Sequence, residues 1–255
     1  MALLDVRAIT VRFGGNLALT DVDLTAESSC ITGLIGPNGA GKTTLFNVIT
    51  GLLPPTRGRV LVDDEDITGL PPFKRARRGL ARTFQRLELF GLLTVRENLT
   101  VAADIRRGWS RRQRQAVATT ESPADTAARI IADIGLGEVA DERADSLPTG
   151  QARLVELGRA LATQPRLLLL DEPASGQDET ETARFAAVLR RLSNDGMAVV
   201  LVEHDVHLVM DVCDTIHVLD FGKILAVGTP ADIRHNEAVL AAYLGSGSSA
   251  RKGQA

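Results

Sequence analysis

Aromatic side chains are scarce in this 255-residue sequence: Phe, Trp and Tyr make up 4% of it. A core must therefore be built from Ala, Val, Ile and Leu, which suits helices packed on a buried parallel sheet better than an aromatic-rich β-sandwich. Cysteine is nearly absent. Cys30 and Cys213 stand far apart, with no Cys-x-x-Cys pair and no zinc-ligand spacing, so both are expected as free thiols in a reducing cytosol. Long apolar runs are missing too: stretches such as residues 167–170 and 197–202 fall far short of the about 20 residues that span a bilayer. Near the start, Asp5 sits where a secretory signal would need its apolar stretch. No charge sign dominates. The formal net charge of −3 leaves no global footprint for nucleic acid. What remains, 44% hydrophobic and 24% charged, is ordinary globular usage, enough for one large domain or a domain with a sizeable subdomain. A cytoplasmic chain that does not cross a membrane by itself is expected.

Val22 and Leu24 alternate with Asp21, Asp23 and Thr25, the pattern of a half-buried strand. Residues 30–35 are nearly continuously apolar, run into a glycine-rich turn and lead to a helical pattern over residues 43–50. Strand, glycine loop and helix open a phosphate-binding α/β unit. Downstream, residues 167–170, 198–202 and 215–219 predict short buried strands, with helical patterns over 179–194 and 206–213 between them, the alternation of a parallel sheet. The middle, roughly residues 91–146, differs. Ser122-Pro-Ala-Asp125 offers a capping box with proline at the first helical position. Ala127, Ile130, Ile131 and Ile134 follow at helical spacing, which predicts a helical subdomain inserted in the α/β core. Residues 245–255 are rich in Gly and Ser and predict a flexible tail.

Gly36-Pro37-Asn38-Gly39-Ala40-Gly41-Lys42-Thr43 matches G-x-x-x-x-G-K-[ST] in full. The glycines let consecutive backbone N–H groups curl around phosphate oxygens. Lys42 can reach the β- and γ-phosphates, the Thr43 hydroxyl can ligate Mg²⁺, and the following helix, with Thr44 in its first turn, adds its positive end. About 130 residues on, roughly one α/β half-domain further along, Leu167-Leu-Leu-Leu-Asp-Glu-Pro173 buries a strand and ends it in two carboxylates, at the edge where α/β folds bind ligands. Asp171 is the candidate Mg²⁺ holder and Glu172 the candidate base for an attacking water. Alone, such a strand end is more often merely solvated; paired with the glycine loop, the functional reading prevails.

With these motifs and a helical insert between them, the chain resembles the ATP-binding subunits of ABC transporters over about residues 4–244, because further motifs follow in order. Phe13 stands where the family places an aromatic that stacks on adenine. Gln85, in Thr83-Phe-Gln-Arg86, matches the Q-loop glutamine, which contacts Mg²⁺ or water and senses the transmembrane partner. Ala174-Ser-Gly-Gln-Asp178 resembles the D-loop, and His204 the switch histidine that contacts the γ-phosphate. The signature departs from the family's Leu-Ser-Gly-Gly-Gln, reading Leu147-Pro148-Thr149-Gly150-Gln151. Pro148 has neither hydroxyl nor N–H. Thr149 either supplies a substitute hydroxyl or caps the following helix, and Gly150 and Gln151 complete the segment.

The resemblance implies an α/β P-loop NTPase core with an antiparallel β subdomain and an inserted α-helical subdomain. It divides the chain into a core at 1–90, a helical subdomain with the signature at 91–160, a second core part at 161–244 and a tail at 245–255. It implies ATP and Mg²⁺ as cofactors and an ATPase activity coupled to transport. Because the family sandwiches ATP between one subunit's P-loop and another's signature, it also implies a dimer, with a second copy or a sister ATPase. Further implied partners are two transmembrane permease subunits and, indirectly, a solute-binding protein, which places the chain peripherally on the inner face of the cell membrane. Residues 147–153, 202–210, 228–230 and 242–245 are similar to the LivG-type ATPases of branched-chain amino acid importers. ATPases for urea or amide import and for lipopolysaccharide export share parts of this pattern.

Two basic groups, Lys74, Arg75, Arg77, Arg78 and Arg82, and Arg106, Arg107, Arg111, Arg112 and Arg114 around Trp109, are read first as solvated helix faces. Contact with anionic headgroups near the permeases, or with nucleic acid as in soluble ABC-type ATPases, are the alternatives. The paired ATPase domains, coiled-coil inserts and zinc modules of that soluble class are missing, so no nucleic acid is expected. A GTPase would carry Asn-Lys-x-Asp, which does not occur.

Overall fold

The structure, a computed structural model, describes residues 2–113 and 121–248, with side chains for 2–109 and 121–243. The chain opens with a long hairpin, β1 (Ala2–Phe13) and β2 (Asn16–Glu27), and then enters β3 (Ile31–Ile35) and α1 (Lys42–Thr50). Burial along β2 alternates from Val22 onward as the Val22/Leu24 pattern requires. With β4 (Arg57–Val62) and β5 (Glu65–Asp66) the hairpin forms an antiparallel sheet ordered β2-β1-β4-β5.

The second sheet carries the site. Its remaining strands are β6 (Leu80–Arg82), β7 (Leu167–Asp171), β8 (Ala198–Val202), β9 (Thr215–Asp220) and β10 (Lys223–Gly228), in the order β10-β9-β3-β8-β7-β6. All neighbours are parallel except β9 and β10, which form a hairpin. β3, β7 and β8 are buried at every position, as strands covered on both faces must be. Along β7 the leucines part between two cores. Leu167 and Leu169 join α1 and the antiparallel sheet, whereas Leu168 and Leu170 join the helices on the opposite face.

Those helices are α3 (Val95–Gln113), α4 (Pro123–Asp133), α5 (Thr149–Ala162), α6 (Glu179–Asn194), α7 (Val206–Val212), α8 (Pro230–Arg234) and α9 (Glu237–Ser248), with α2 (Pro72–Arg77) preceding β6. The helical insert is present as α3, α4 and the start of α5, and α5 continues past residue 160 to Ala162. At the start of α4 the Ser122 hydroxyl accepts from the Asp125 N–H at 3.1 Å and donates to the Asp125 carboxylate at 2.7 Å. The Asp125 carboxylate takes the Ser122 hydroxyl rather than the N-cap backbone N–H, so the box is half closed. Residues 245–255, expected as a tail, begin inside α9; extending a formed helix costs less than nucleating one. The rest of that segment lies outside the described residues.

The solvated-face reading holds for Lys74 and Arg78 of the first basic group and fails for Arg75 and Arg82. Arg75 is fully buried. Its Nη1 donates to the Val48 and Ile49 carbonyls at 2.7 Å each, Nη2 to Thr68 O at 2.7 Å and Nε to Leu70 O at 2.8 Å. A guanidinium thus closes the C-terminal end of α1, where carbonyls have no helical partner and the dipole favours a cation. Arg82 also points inward, from a strand rather than a helix. Lys74 and Arg78 are exposed, Arg78 being paired with Glu65 at 2.6 Å. In the second group, Arg107 on α3 is exposed, and the side chains of Arg111, Arg112 and Arg114 lie outside the described residues.

Candidate functional site

The glycine loop leaves β3 at the centre of the sheet and turns into α1. Gly36 lies at φ 154, and a Cβ there would meet the Leu219 carbonyl oxygen at 1.9 Å; Gly41, at φ 111, would meet Leu19 Cδ2 at 2.7 Å. Both positions therefore exclude side chains, and the β9–β10 hairpin closes the loop's back through Gly222 N donating to Ala40 O at 2.9 Å. Lys42 is buried and folds back over the loop, its Nζ donating to Gly36 O at 2.6 Å and Pro37 O at 3.0 Å. Burial pushes its ammonium below the ordinary lysine value, while Glu172 and Asp171 pull the other way. Thr43, Asn38 and Gly39 are exposed, Thr44 half-buried and Ala40 buried, so the loop offers its rim to a ligand. Phe13, at the end of β1, is 52% exposed.

Across from the loop, β7 delivers its two carboxylates to different partners. Glu172 follows the strand at φ 51, a left-handed conformation rare for a side-chain residue, held there by its N–H donating to Val202 O at 2.9 Å. Its Oε2 accepts from Gln85 Nε2 at 2.8 Å, and its Oε1 lies 2.5 Å from His204 Nε2. Three side chains expected from separate motifs thus meet at one carboxylate. Asp171 is buried, and its Oδ2 accepts from Arg82 Nη2 at 2.7 Å, in an ion pair whose two side chains are each 7% exposed.

Two further carboxylates, unforeseen from sequence, hold the loops. Glu203 on the strand end before His204 is buried and accepts from the Ala174 N–H at 2.7 Å and the His204 N–H at 3.1 Å. Burial pushes its carboxyl up and those N–H groups pull it down. Glu156 on α5 pairs with Arg153 at 3.1 Å, and together they grip the loop after β6. Arg153 donates to Phe84 O at 3.1 Å and Gln85 O at 2.6 Å, while Glu156 accepts from Phe84 N at 3.4 Å. The signal was present as Arg and Glu three residues apart on one helical face, but nothing local said that the face was buried. From α9, Tyr243 is hydrogen-bonded to the backbone of Gly36, and burial raises its phenol above the ordinary value.

Residues 149–151 lie elsewhere. Among the described residues no hydrogen bond joins them to the glycine loop. α5 begins at Thr149, and its N-cap is Pro148, with φ −56, ψ 155 and a carbonyl accepting from Ala152 N at 3.0 Å. Capping by Thr149 is thereby corrected: proline's fixed φ suits the residue that turns into the helix, which leaves Thr149 as the first helical residue with its exposed hydroxyl uncommitted. Gly150 is buried, and a Cβ there would meet the Glu181 carboxyl at 2.4 Å. Glu181 closes the capping box of Asp178 at the start of α6. Gln151 is half-buried. The signature end therefore packs on residues 174–181, away from the same chain's loop.

The candidate donors, the Thr43 hydroxyl, the Asp171 carboxylate and the Gln85 amide oxygen (its nitrogen being engaged by Glu172), are all hard oxygens of the kind Mg²⁺ takes. The chemistry of this set fits that ion.

Comparison with known proteins agrees with this arrangement. The family described as ABC transporter matches residues 19–175, and that described as branched-chain amino acid ATP-binding cassette transporter matches residues 223–248. The chain is 42% identical, over 95% of its length and 98% of theirs, to the high-affinity branched-chain amino acid transport ATP-binding proteins BraF of Pseudomonas aeruginosa and LivG of Escherichia coli K12. It is 35% identical, over 96% of its length, to the lipopolysaccharide export system ATP-binding protein LptB of Haemophilus influenzae. A crystal structure of the ADP conformation of an ATP-binding cassette from an ABC transporter superposes with a TM-score of 0.85 at 31% identity, covering 96% of this chain and 99% of that one.

Proposed function

The chain belongs to the ABC transporter family of ATP-binding proteins, and from that premise we propose that it is the ATP-hydrolysing subunit of an importer for branched-chain or related amino acids. The observation that carries the catalytic part is the meeting of Gln85 and His204 on the two oxygens of Glu172. A carboxylate held between an amide donor and an imidazole, beside a buried lysine on a phosphate loop, is equipped to orient a water against a γ-phosphate. Phe13 takes the adenine, residues 36–44 the phosphates, and Lys42 exchanges its two carbonyl acceptors for phosphate oxygens. Thr43, Asp171 and Gln85 would hold Mg²⁺. When bound, that ion would supply positive charge to offset the charge that develops on the phosphates.

Because residues 149–151 sit away from their own loop, they serve a second nucleotide-binding chain, a copy or a sister ATPase, in which Thr149, Gly150 and Gln151 would face the partner's γ-phosphate. One of two permease subunits docks on the groove of about 350 Å³ between the core and the helical insert, lined by Leu52, Phe84, Ile105 and Trp109, and the other docks on the second nucleotide-binding chain. Exposed apolar side chains rimmed by charge suit such a contact. Among the described residues no helix is long and apolar enough to cross a membrane, so in this reading the chain rests on the inner face of the cell membrane with its partners. Residues 1–90 and 161–244 act as the ATP-binding core and 91–160 as the helical part that moves with the permeases. The solute reading leans on the greater identity to the amino-acid proteins than to the lipopolysaccharide exporter.

The test is reconstitution with two candidate permeases and a sister ATPase in vesicles, measuring ATP-driven uptake of labelled leucine. Wild-type chain should support uptake and Lys42→Ala should not. Uptake by the Lys42→Ala complex, or none by the wild type with any amino acid, would remove the reading.

A further inference from the structure

Arg82 joins two places that are otherwise separate. It lines the groove beside Phe84 and Trp109, yet its guanidinium reaches Asp171 Oδ2 at 2.7 Å and Asn47 Oδ1 of α1 at 2.7 Å. Its guanidinium carbon lies 5.0 Å from the Phe84 ring centroid and 5.5 Å from that of Phe46, distances at which a cation is attracted to an aromatic face. Phe84 is 42% exposed, so the ring that covers Arg82 on one side is itself part of the groove wall. The backbone of Phe84 is gripped by Arg153 and Glu156 of α5, so the segment that carries the ring is anchored to that helix. One donor is left over: Nε of Arg82 is buried and has no partner among the described residues.

The guanidinium holds the carboxylate with one prong, Nη2, and Asn47 of α1 with the other, Nη1, so it ties Asp171 to α1 by a charge-assisted bond, and groups that orient a metal-holding carboxylate tune its hold on the metal. We propose that Arg82 is a positioning residue for Asp171 through which a segment seated in the groove alters the metal site. A segment pressing on Phe84 displaces the guanidinium beneath that ring and loosens its grip on Asp171 and α1. An empty groove leaves Asp171 locked. The second half of this proposal rests on the docking reading above; the first half does not.

The test uses Arg82→Gln and Arg82→Lys in the full chain, alone and with the permeases. Mn²⁺ binding, followed by electron paramagnetic resonance with a non-hydrolysable ATP analogue, should weaken about tenfold in Arg82→Gln and less in Arg82→Lys. Affinity for the analogue without divalent metal should stay at the wild-type value. The ratio of permease-stimulated to unstimulated ATPase should fall toward one in both. If Arg82→Gln does not fold, Arg82→Lys, which keeps the charge, decides the matter. Wild-type Mn²⁺ affinity in a folded variant overturns the hold on Asp171, and weakened Mn²⁺ binding with an intact stimulation ratio overturns the coupling. A wild-type chain that no permease stimulates overturns the docking reading and the coupling with it, while the Mn²⁺ measurement still decides the first half.

Discussion

His217 sets an acid limit on stability that can be worked out in advance. It lies on β9, 4% exposed, with neither ring nitrogen partnered among the described residues. Burial takes its pKa from the ordinary 6.5 down to about 4, because a charge has no solvation there. The folded chain therefore keeps the imidazole neutral where the unfolded chain protonates it. Between those two values the unfolded state binds more protons, so stability is full above the unfolded value and drains as pH falls through 6.5 toward 4. The complete loss is about 3 kcal/mol, of which about 2 kcal/mol is gone by about pH 5 and almost none at about pH 7.5. Replacing the ring by a chargeless side chain of similar bulk, His217→Leu, removes this term. Urea titrations followed by far-ultraviolet circular dichroism should find the variant gaining about 2 kcal/mol on the wild type between about pH 7.5 and about pH 5. An unchanged gap between the two proteins would refute the reasoning. It would mean that the imidazolium finds a partner, and Asp21 and Asp23 on the cleft that His217 lines with Lys223 are the groups to inspect next.

Other perturbations divide the site by role. Glu172→Gln should retain ATP binding and lose turnover by about 10²–10⁴-fold; equal turnover in a steady-state phosphate-release assay would take Glu172 out of its role. Gly36→Ala puts a methyl group on the Leu219 carbonyl, 1.9 Å away, so it should fold poorly or lose nucleotide binding, and normal binding of a fluorescent ATP analogue would contradict the packing. Gly150→Ala meets instead the movable carboxyl of Glu181; displacing that group from its capping box should cost about 1 kcal/mol in thermal or urea unfolding. Cys213, buried and with its thiol pushed up to about 12, should resist iodoacetamide in the native protein at neutral pH, and mass spectrometry showing its rapid labelling would contradict that burial.

How much of this was legible depends on sequence distance. The glycine loop is contiguous, and its spacing alone marks β3, the turn and α1. The apolar run ending in Asp171 and Glu172 is equally local. Arg82 could not be read the same way. Its partner lies 89 residues away, and in sequence a buried arginine looks like an exposed one. Arg75 was hidden for the same reason, since its role is defined by the carbonyls of α1. Gln85, Glu172 and His204 were each visible as isolated residues, but only the pairing of β7 with β6 and β8 makes them neighbours. The capping alternative for Thr149 missed by one position, since the N-cap is Pro148, the scale on which helix ends resist reading.

The strand order carries a consequence for how the protein is made. β3, which launches the glycine loop, has as its neighbours β8 and β9, the products of residues 198–202 and 215–220. A ribosome that has delivered the loop and α1 has therefore supplied none of the hydrogen-bonding edges on either side of that strand. The Leu219 carbonyl and Gly222, which shape the loop from behind, emerge later still. The glycine loop, translated early, is among the last segments to take form, so a nucleotide that needs the formed loop can offer no ligand stabilisation to the nascent chain until most of it is free. Premature termination before β9 should accordingly yield a fragment that contains the whole glycine motif and binds no nucleotide.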